Sequence, residues 1–178
     1  MIRTRVGYAG GNKKAPSYHE LGDHTEAVQL DYDPRKITYK HLLALFWDSH
    51  DPSSASYSRQ YMNAIFYENE AQRAVAMASK ADLELKTGGP VKTAIVPVRS
   101  FTLAEDYHQK YMLKSHRSLA REMENLYPQH VDFVNSTAVT RLNGYAGGYG
   151  TMQQWSSDMD QLGLSPAGKK EMASLIGR

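Results

Sequence analysis

Glu26 is the residue of this 178-residue chain best suited by its surroundings to acid–base chemistry. In the run Glu26-Ala27-Val28-Gln29-Leu30-Asp31-Tyr32, a period-two alternation puts it on one face with Val28, Leu30 and Tyr32. That face is expected to be the buried one. Burial disfavours an ionised carboxylate and raises its pKa, and an acid kept protonated near neutrality can donate a proton to a developing oxyanion. The same pattern also admits a plainer arrangement, a strand-end Glu that turns to water or caps a loop amide. Two tyrosines each follow a turn, in Pro16-Ser17-Tyr18 and Arg59-Gln60-Tyr61.

Other reactive groups offer less. The chain holds seven histidines and no cysteine. His19 and His24 share a loop and His108 and His116 are far apart, so no pair has the i, i+3 or i, i+4 spacing of a helical metal-ligand set. Lack of cysteine excludes disulfides, thiolate metal sites and a cysteine nucleophile within these residues. Ser53-Ser54-Ala55-Ser56 is a polar loop without the base and oxyanion donors a nucleophilic serine needs, and His108 reads as a packing residue. Gly7-Tyr8-Ala9-Gly10-Gly11 recurs as Gly144 to Gly148, but neither copy leads into the Lys-Ser/Thr pair of a phosphate loop. Both read as turn chemistry.

The elements that must position these residues belong to an ordinary globular chain, 41% hydrophobic and 22% charged with a net charge of +2. Its length suits a single core. No basic stripe interleaved with aromatics argues for nucleic acid, and no apolar run is long enough for a signal or membrane span. A soluble, cytoplasmic protein is expected, although residues preceding Met1 could carry a targeting segment. Ile2, Val6 and Tyr8 mark a first strand. Thr38 caps a helix with Tyr39, Leu42, Leu43, Phe46 and Trp47 on one stripe. Ala64 to Tyr67 is a short buried strand, Asn69 starts a helix that Gly88-Gly89-Pro90 ends, and Thr93 to Val98 is another strand. Leu103 to Leu113 and His116 to Leu126 read as helices, Asn143 to Gly150 as a loop, and Ser165-Pro166 as the entry to a last short helix. Strands alternating with helices imply a two-layer α/β or α+β domain.

A set of blocks then makes the chain recognisable. Arg3-Thr4-Arg5-Val6-Gly7-Tyr8-Ala9-Gly10-Gly11, Ala15-Pro16-Ser17-Tyr18, Gly22-Asp23-His24-Thr25-Glu26-Ala27-Val28, Leu42 to Pro52, Gln60-Tyr61-Met62-Asn63-Ala64-Ile65-Phe66 and Ala104 to Tyr111 follow one another in a characteristic order. In order and approximate spacing the chain resembles the A-type peptide-methionine (S)-S-oxide reductase family, from about residue 3 to 112, with a weaker echo around Arg141 to Gly150.

The resemblance implies reduction of the S epimer of methionine sulfoxide, free or in proteins, to methionine, the repair of an oxidative lesion. It implies that Glu26 is the buried catalytic acid and that Tyr18 and Tyr61 hold and protonate the sulfoxide oxygen, since phenols are donors without charge to bury. No cofactor is implied. The reductant would be external, with thioredoxin as partner, acting on a monomer. The implied fold is α+β, a two-layer ferredoxin-like split βαβ sheet with helices packed on it. Residues 1–114 would form the reductase-like domain, and 115–178 a helical, loop-rich C-terminal extension packed on it. The family's nucleophile lies in a Gly-Cys-Phe-Trp motif on a strand and helix that would precede Met1, so the chain reads as truncated there and inactive alone. A cysteine or a selenocysteine could occupy that upstream position. The alternative is a non-catalytic relative that binds oxidised peptides. Near Gln60-Tyr61 the family's acidic residue is replaced around Ser56, and Ala146 stands in the region where many members carry a resolving cysteine.

Overall fold

The computed structural model describes residues 1–176. Among the described residues five strands, β1 (Arg3–Ala9), β2 (Thr25–Asp31), β3 (Ala64–Tyr67), β4 (Ala94–Pro97) and β5 (Phe101–Leu103), alternate with and precede eight α-helices. These are α1 (Tyr39–Asp48), α2 (Glu70–Thr87), α3 (Tyr111–Lys114), α4 (Arg117–Leu126), α5 (His130–Asn135), α6 (Thr137–Ala146), α7 (Met152–Asp158) and α8 (Pro166–Ala173). The α+β class is the one the family resemblance implies. The strands form two sheets, one of order β2-β1-β5 and one pairing β3 with β4.

The chain divides into two compact units, through both of which β1 and β2 run. The first unit comprises Val6–Val28 and Asp33–Ala104. Within it β1 pairs antiparallel with β5, Gly7 opposite Leu103 and Ala9 opposite Phe101. The β3–α2–β4 segment is a βαβ crossover: β3 and β4 are parallel, with Ala64 opposite Ala94, and parallel neighbours require a long connection such as α2. Local signals set its boundaries. The Asn69 side chain accepts from the Gln72 N–H, and Gly88, at φ 69°, ends α2 in the left-handed conformation that glycine adopts without a Cβ penalty. Thr38 accepts from the His41 N–H at the start of α1. Leu43 and Trp47 of α1 pack with Ile65, Ala76 and Val91, and Trp47 Nε1 donates to Ser79 Oγ at 3.1 Å.

The second unit comprises Met1–Arg5, Gln29–Tyr32 and Glu105–Arg178. Leu113, Leu119, Met123, Phe133, Val139, Leu142, Trp155 and Met172 are among its buried residues. Arg5 forks onto three partners: Nε to Gln29 Oε1, Nη1 to Asn135 Oδ1 and Nη2 to Asp31 Oδ2, at 2.9, 2.8 and 3.0 Å. Two expectations change here. The Leu103 to Leu113 segment is not one helix but the end of β5, a turn region and the start of α3. Asn143 to Ala146, expected as loop, is the last turn of α6. Helix α5, six residues long and without a side-chain cap, carries no readable signal in the sequence.

The β2 alternation is present but inverted. Glu26 is exposed, Val28 and Leu30 are 57% and 36% exposed, and Thr25 on the opposite face is buried. The polar face is the covered one because each group on it finds a specific partner: Arg5 takes Gln29 and Asp31, and Thr25 Oγ1 donates to the Arg59 carbonyl at 2.9 Å. A hydrogen-bonded polar face can be buried without penalty, so alternation alone does not choose the side.

Candidate active site

The expected site residues all fall within the first unit, on the head of β2 and on two loops. Residues 10–24 form the first loop, which carries Tyr18 beside the Ser17–Glu20 bridge. Residues 49–63 form the second, which carries Tyr61. Strand β2 is tied to this second loop at its first two residues. Thr25 holds the Arg59 carbonyl, and the Glu26 N–H donates to the Gln60 carbonyl at 2.9 Å. Arg59 Nε returns a bond to the Asp23 carbonyl at 3.1 Å.

These ties bring Tyr18, Glu26 and Tyr61 together around Gln60. Its Nε2 donates to Glu26 Oε1 at 2.7 Å and lies 3.3 Å from the Tyr61 hydroxyl, which is 3.5 Å from the Tyr18 hydroxyl. Tyr61 is 42% exposed and its ring lies 5.5 Å from that of Tyr57, itself 84% exposed. The hydrogen bond with Tyr18, followed by burial and the nearby Glu26 charge, pushes the Tyr61 phenol up to about 12. It is therefore a neutral donor across the physiological range.

Glu26 does not point into the interior as the strand pattern implied. It sits on an open face, held by the Gln60 amide, nearer to the plainer arrangement of a strand-end carboxylate bound to a loop amide. Gln60 was missed as a site residue although it adjoins Tyr61, since an amide carries no reactive signal in sequence. The loop around Ser56 is held by its own serines. Ser56 Oγ accepts from the Asn63 N–H at 2.9 Å and Ser58 Oγ from the Tyr61 N–H at 3.3 Å. Asp51, capped by the hydroxyls of Ser54 and Ser53, is lowered to about 2 and anchors the start of the same loop.

Two phenols, a carboxylate and an amide on one open surface can bind and protonate a polar oxygen, but they supply no electrons. Among the described residues no cluster of histidine, aspartate or glutamate could hold a metal ion. No helix there is long and apolar enough to cross a membrane. A cleft of about 380 Å³ lined by Arg141, Tyr145, Tyr149, Gln154 and Asp158 lies in the second unit and includes none of the expected site residues.

Comparison with known proteins places the chain in a family. The family model described as peptide methionine sulfoxide reductase matches residues 1–149. The chain belongs to that family. It is 41% identical over 168 residues to a peptide methionine sulfoxide reductase of Drosophila melanogaster, covering 93% of this chain and 67% of that one. It is 44% identical over 126 residues to peptide methionine sulfoxide reductase MsrA of Methanosarcina acetivorans, covering 64% and 66%. With peptide methionine sulfoxide reductase A5 of Arabidopsis thaliana it shares 40% identity over 152 residues, covering 82% and 59%. The chain thus spans about three fifths to two thirds of the length of these relatives. Its fold is similar to reduced Mxr1 of Saccharomyces cerevisiae, with TM-score 0.60 and 29% identity over 64% of this chain and 71% of that one. It is also similar to methionine sulfoxide reductase A of Corynebacterium diphtheriae, with TM-score 0.55 and 28% identity over 65% and 64%.

Proposed function

We propose that this chain carries the oxygen-binding half of a site that reduces methionine (S)-sulfoxide, free or in proteins, to methionine. The observation that supports it is the hydroxyl pair of Tyr18 and Tyr61, 3.5 Å apart beside the Glu26–Gln60 hydrogen bond, in a chain of the peptide methionine sulfoxide reductase family. In the overall reaction one sulfoxide and two thiols give one thioether, one disulfide and water. Sulfur gains two electrons, the thiols lose them, and the oxygen departs as water once protonated. Tyr18 and Tyr61 donate hydrogen bonds to the oxygen, and Glu26, open to water and oriented by the Gln60 amide, passes a proton from solvent to it.

The thiols are a separate matter, because the chain has no cysteine. We assign them to groups outside these 178 residues, with thioredoxin as the reductant, and the reaction as written needs no prosthetic group. That same absence favours a second reading, in which the chain binds oxidised methionine without turning it over. A peptide with one methionine (S)-sulfoxide, incubated with dithiothreitol or reduced thioredoxin and titrated in parallel for binding, separates the two. The proposal requires saturable binding of the S epimer, with reduction only when a chalcogen nucleophile is supplied. Where reduction is reconstituted, Glu26→Gln lowers turnover more than affinity, because protonation acts chiefly in the transition state. Failure to bind either epimer overturns both readings.

A further inference from the structure

His24 is a buried titratable group that the proposed chemistry does not use, 1% exposed. Its Nδ1 accepts from the Gly11 N–H at 3.3 Å, and its Nε2 lies 3.0 Å from the Lys13 carbonyl oxygen. A backbone N–H only donates and a carbonyl only accepts, so both bonds exist together only in the neutral tautomer with the proton on Nε2. His50 contrasts with it. There Nδ1 meets the Phe46 carbonyl and Nε2 meets the Thr93 hydroxyl, which can turn from donor to acceptor when the ring is charged.

The two backbone partners of His24 begin the loop that carries Tyr18, and His24 ends it. The same neck is closed by Asp23, whose carboxylate accepts from the N–H groups of Asn12 and Lys13, and by Lys13 Nζ, which donates to the Glu20 carbonyl at 2.6 Å. Arg59 binds the Asp23 carbonyl from the other loop. The fit is tight: a Cβ on Gly11 would stand 2.4 Å from the His24 ring, and a Cβ on Gly22, at φ +64°, would meet the Lys13 side chain at 2.8 Å.

We propose that His24 is the positioning residue that sets Tyr18 opposite Tyr61, by closing the neck of the 11–24 loop as the neutral Nε2–H tautomer. A proton added at Nδ1 faces the Gly11 N–H, breaks that bond and loosens the neck, so the tyrosine pair comes apart as His24 charges. The charged residues of the neck are Asp23 and Lys13, with Glu20 on Lys13 and Arg59 on the Asp23 carbonyl. The two carboxylates are already engaged, by loop amides and by Lys13, so neither replaces the lost bond. The consequence for substrate rests on the proposed sulfoxide site, whereas the coupling of His24 to Tyr18 does not.

Nuclear magnetic resonance of the full chain with labelled histidine and tyrosine, followed downward in pH until His24 is seen to charge, tests it. The expected result is a His24 Nδ1 without hydrogen at the upper end, and Gly11 amide and Tyr18 ring signals that move with the same midpoint as His24. His24→Asn, whose side-chain oxygen can still accept from Gly11 but does not titrate, should give Tyr18 signals that do not respond. Affinity for a methionine (S)-sulfoxide peptide should fall roughly tenfold on acidification of the wild type and less than about twofold in His24→Asn. An Nδ1–H tautomer, a Tyr18 signal indifferent to the His24 titration, or His24→Asn behaving as wild type would overturn the proposal. Coupled His24 and Tyr18 signals without peptide binding at any pH would support the positioning role and overturn the sulfoxide reading instead.

Discussion

Replacing Tyr18 with Phe removes one hydroxyl and isolates the contact that defines the site. The bond to Tyr18 is the largest of the effects that lift the Tyr61 phenol from the ordinary 10 to about 12. Two pKa steps make Tyr61 roughly a hundredfold weaker acid. At about pH 10 an ordinary tyrosine is half ionised, whereas Tyr61 is ionised to the extent of roughly one part in a hundred. With its partner gone, Tyr61 should titrate well below 12, because the largest cause of the rise is lost while burial and the charge of Glu26 still hold it above the ordinary value. A carbon-13 titration of labelled tyrosine reads this residue by residue. The linkage has a definite sign. The folded pKa is raised, so between about pH 10 and about pH 12 the folded chain retains a proton that the unfolded chain has lost. Stability falls as pH rises through that window, and the part due to Tyr61 should shrink in Tyr18→Phe. A wild-type Tyr61 that titrates near 10, or a Tyr18→Phe protein in which it still titrates near 12, would refute the pairing.

Lys110 offers a test of the second unit. It is 4% exposed, and its Nζ donates to the Thr4 carbonyl and to the hydroxyls of Thr4 and Thr140. Burial, then the charges of Arg5 and Lys114, lower it from 10.5 to about 8. Between those values the unfolded chain binds the extra proton, so stability rises with pH, by at most about 3 kcal/mol. Urea unfolding at both ends of the window, compared with Lys110→Met, should show that rise in the wild type and its absence in the variant. Gly11→Ala should destabilise the first unit by about 1–3 kcal/mol through overlap with the His24 ring, read as a lower urea midpoint with an unchanged slope.

Much of the framework could be read from local chemistry. The Thr38, Asn69 and Ser165 caps and the Gly88 stop all lie where the sequence implied, because a cap needs only the residue and the orphan amides beside it. What was not legible depended on distant partners. The pentapeptide Gly-Tyr-Ala-Gly-Gly ends a strand at Tyr8 and Ala9 and a helix at Tyr145 and Ala146, with all four residues buried in their own units. Neither turn chemistry nor periodicity could tell those uses apart. Val28 and Leu30 were expected inside because apolar residues there alternate with polar ones. The forked contacts of Arg5 to Gln29 and Asp31 instead cover the polar side. The site followed the same rule. Tyr18, Glu26 and Tyr61 could be named from family blocks, but Gln60, which joins two of them, and His24, which closes the loop of the third, show only as hydrogen bonds.

The most direct test of the account is a titration of the protein with a peptide containing one methionine (S)-sulfoxide, followed by the ring signals of Tyr18 and Tyr61, with the R epimer as control. The account predicts saturable shifts of both phenols with the S epimer, weakened by Tyr18→Phe and by Tyr61→Phe, and much smaller shifts with the R epimer. Equal responses to both epimers, or saturable binding that leaves both tyrosines unmoved, would contradict it.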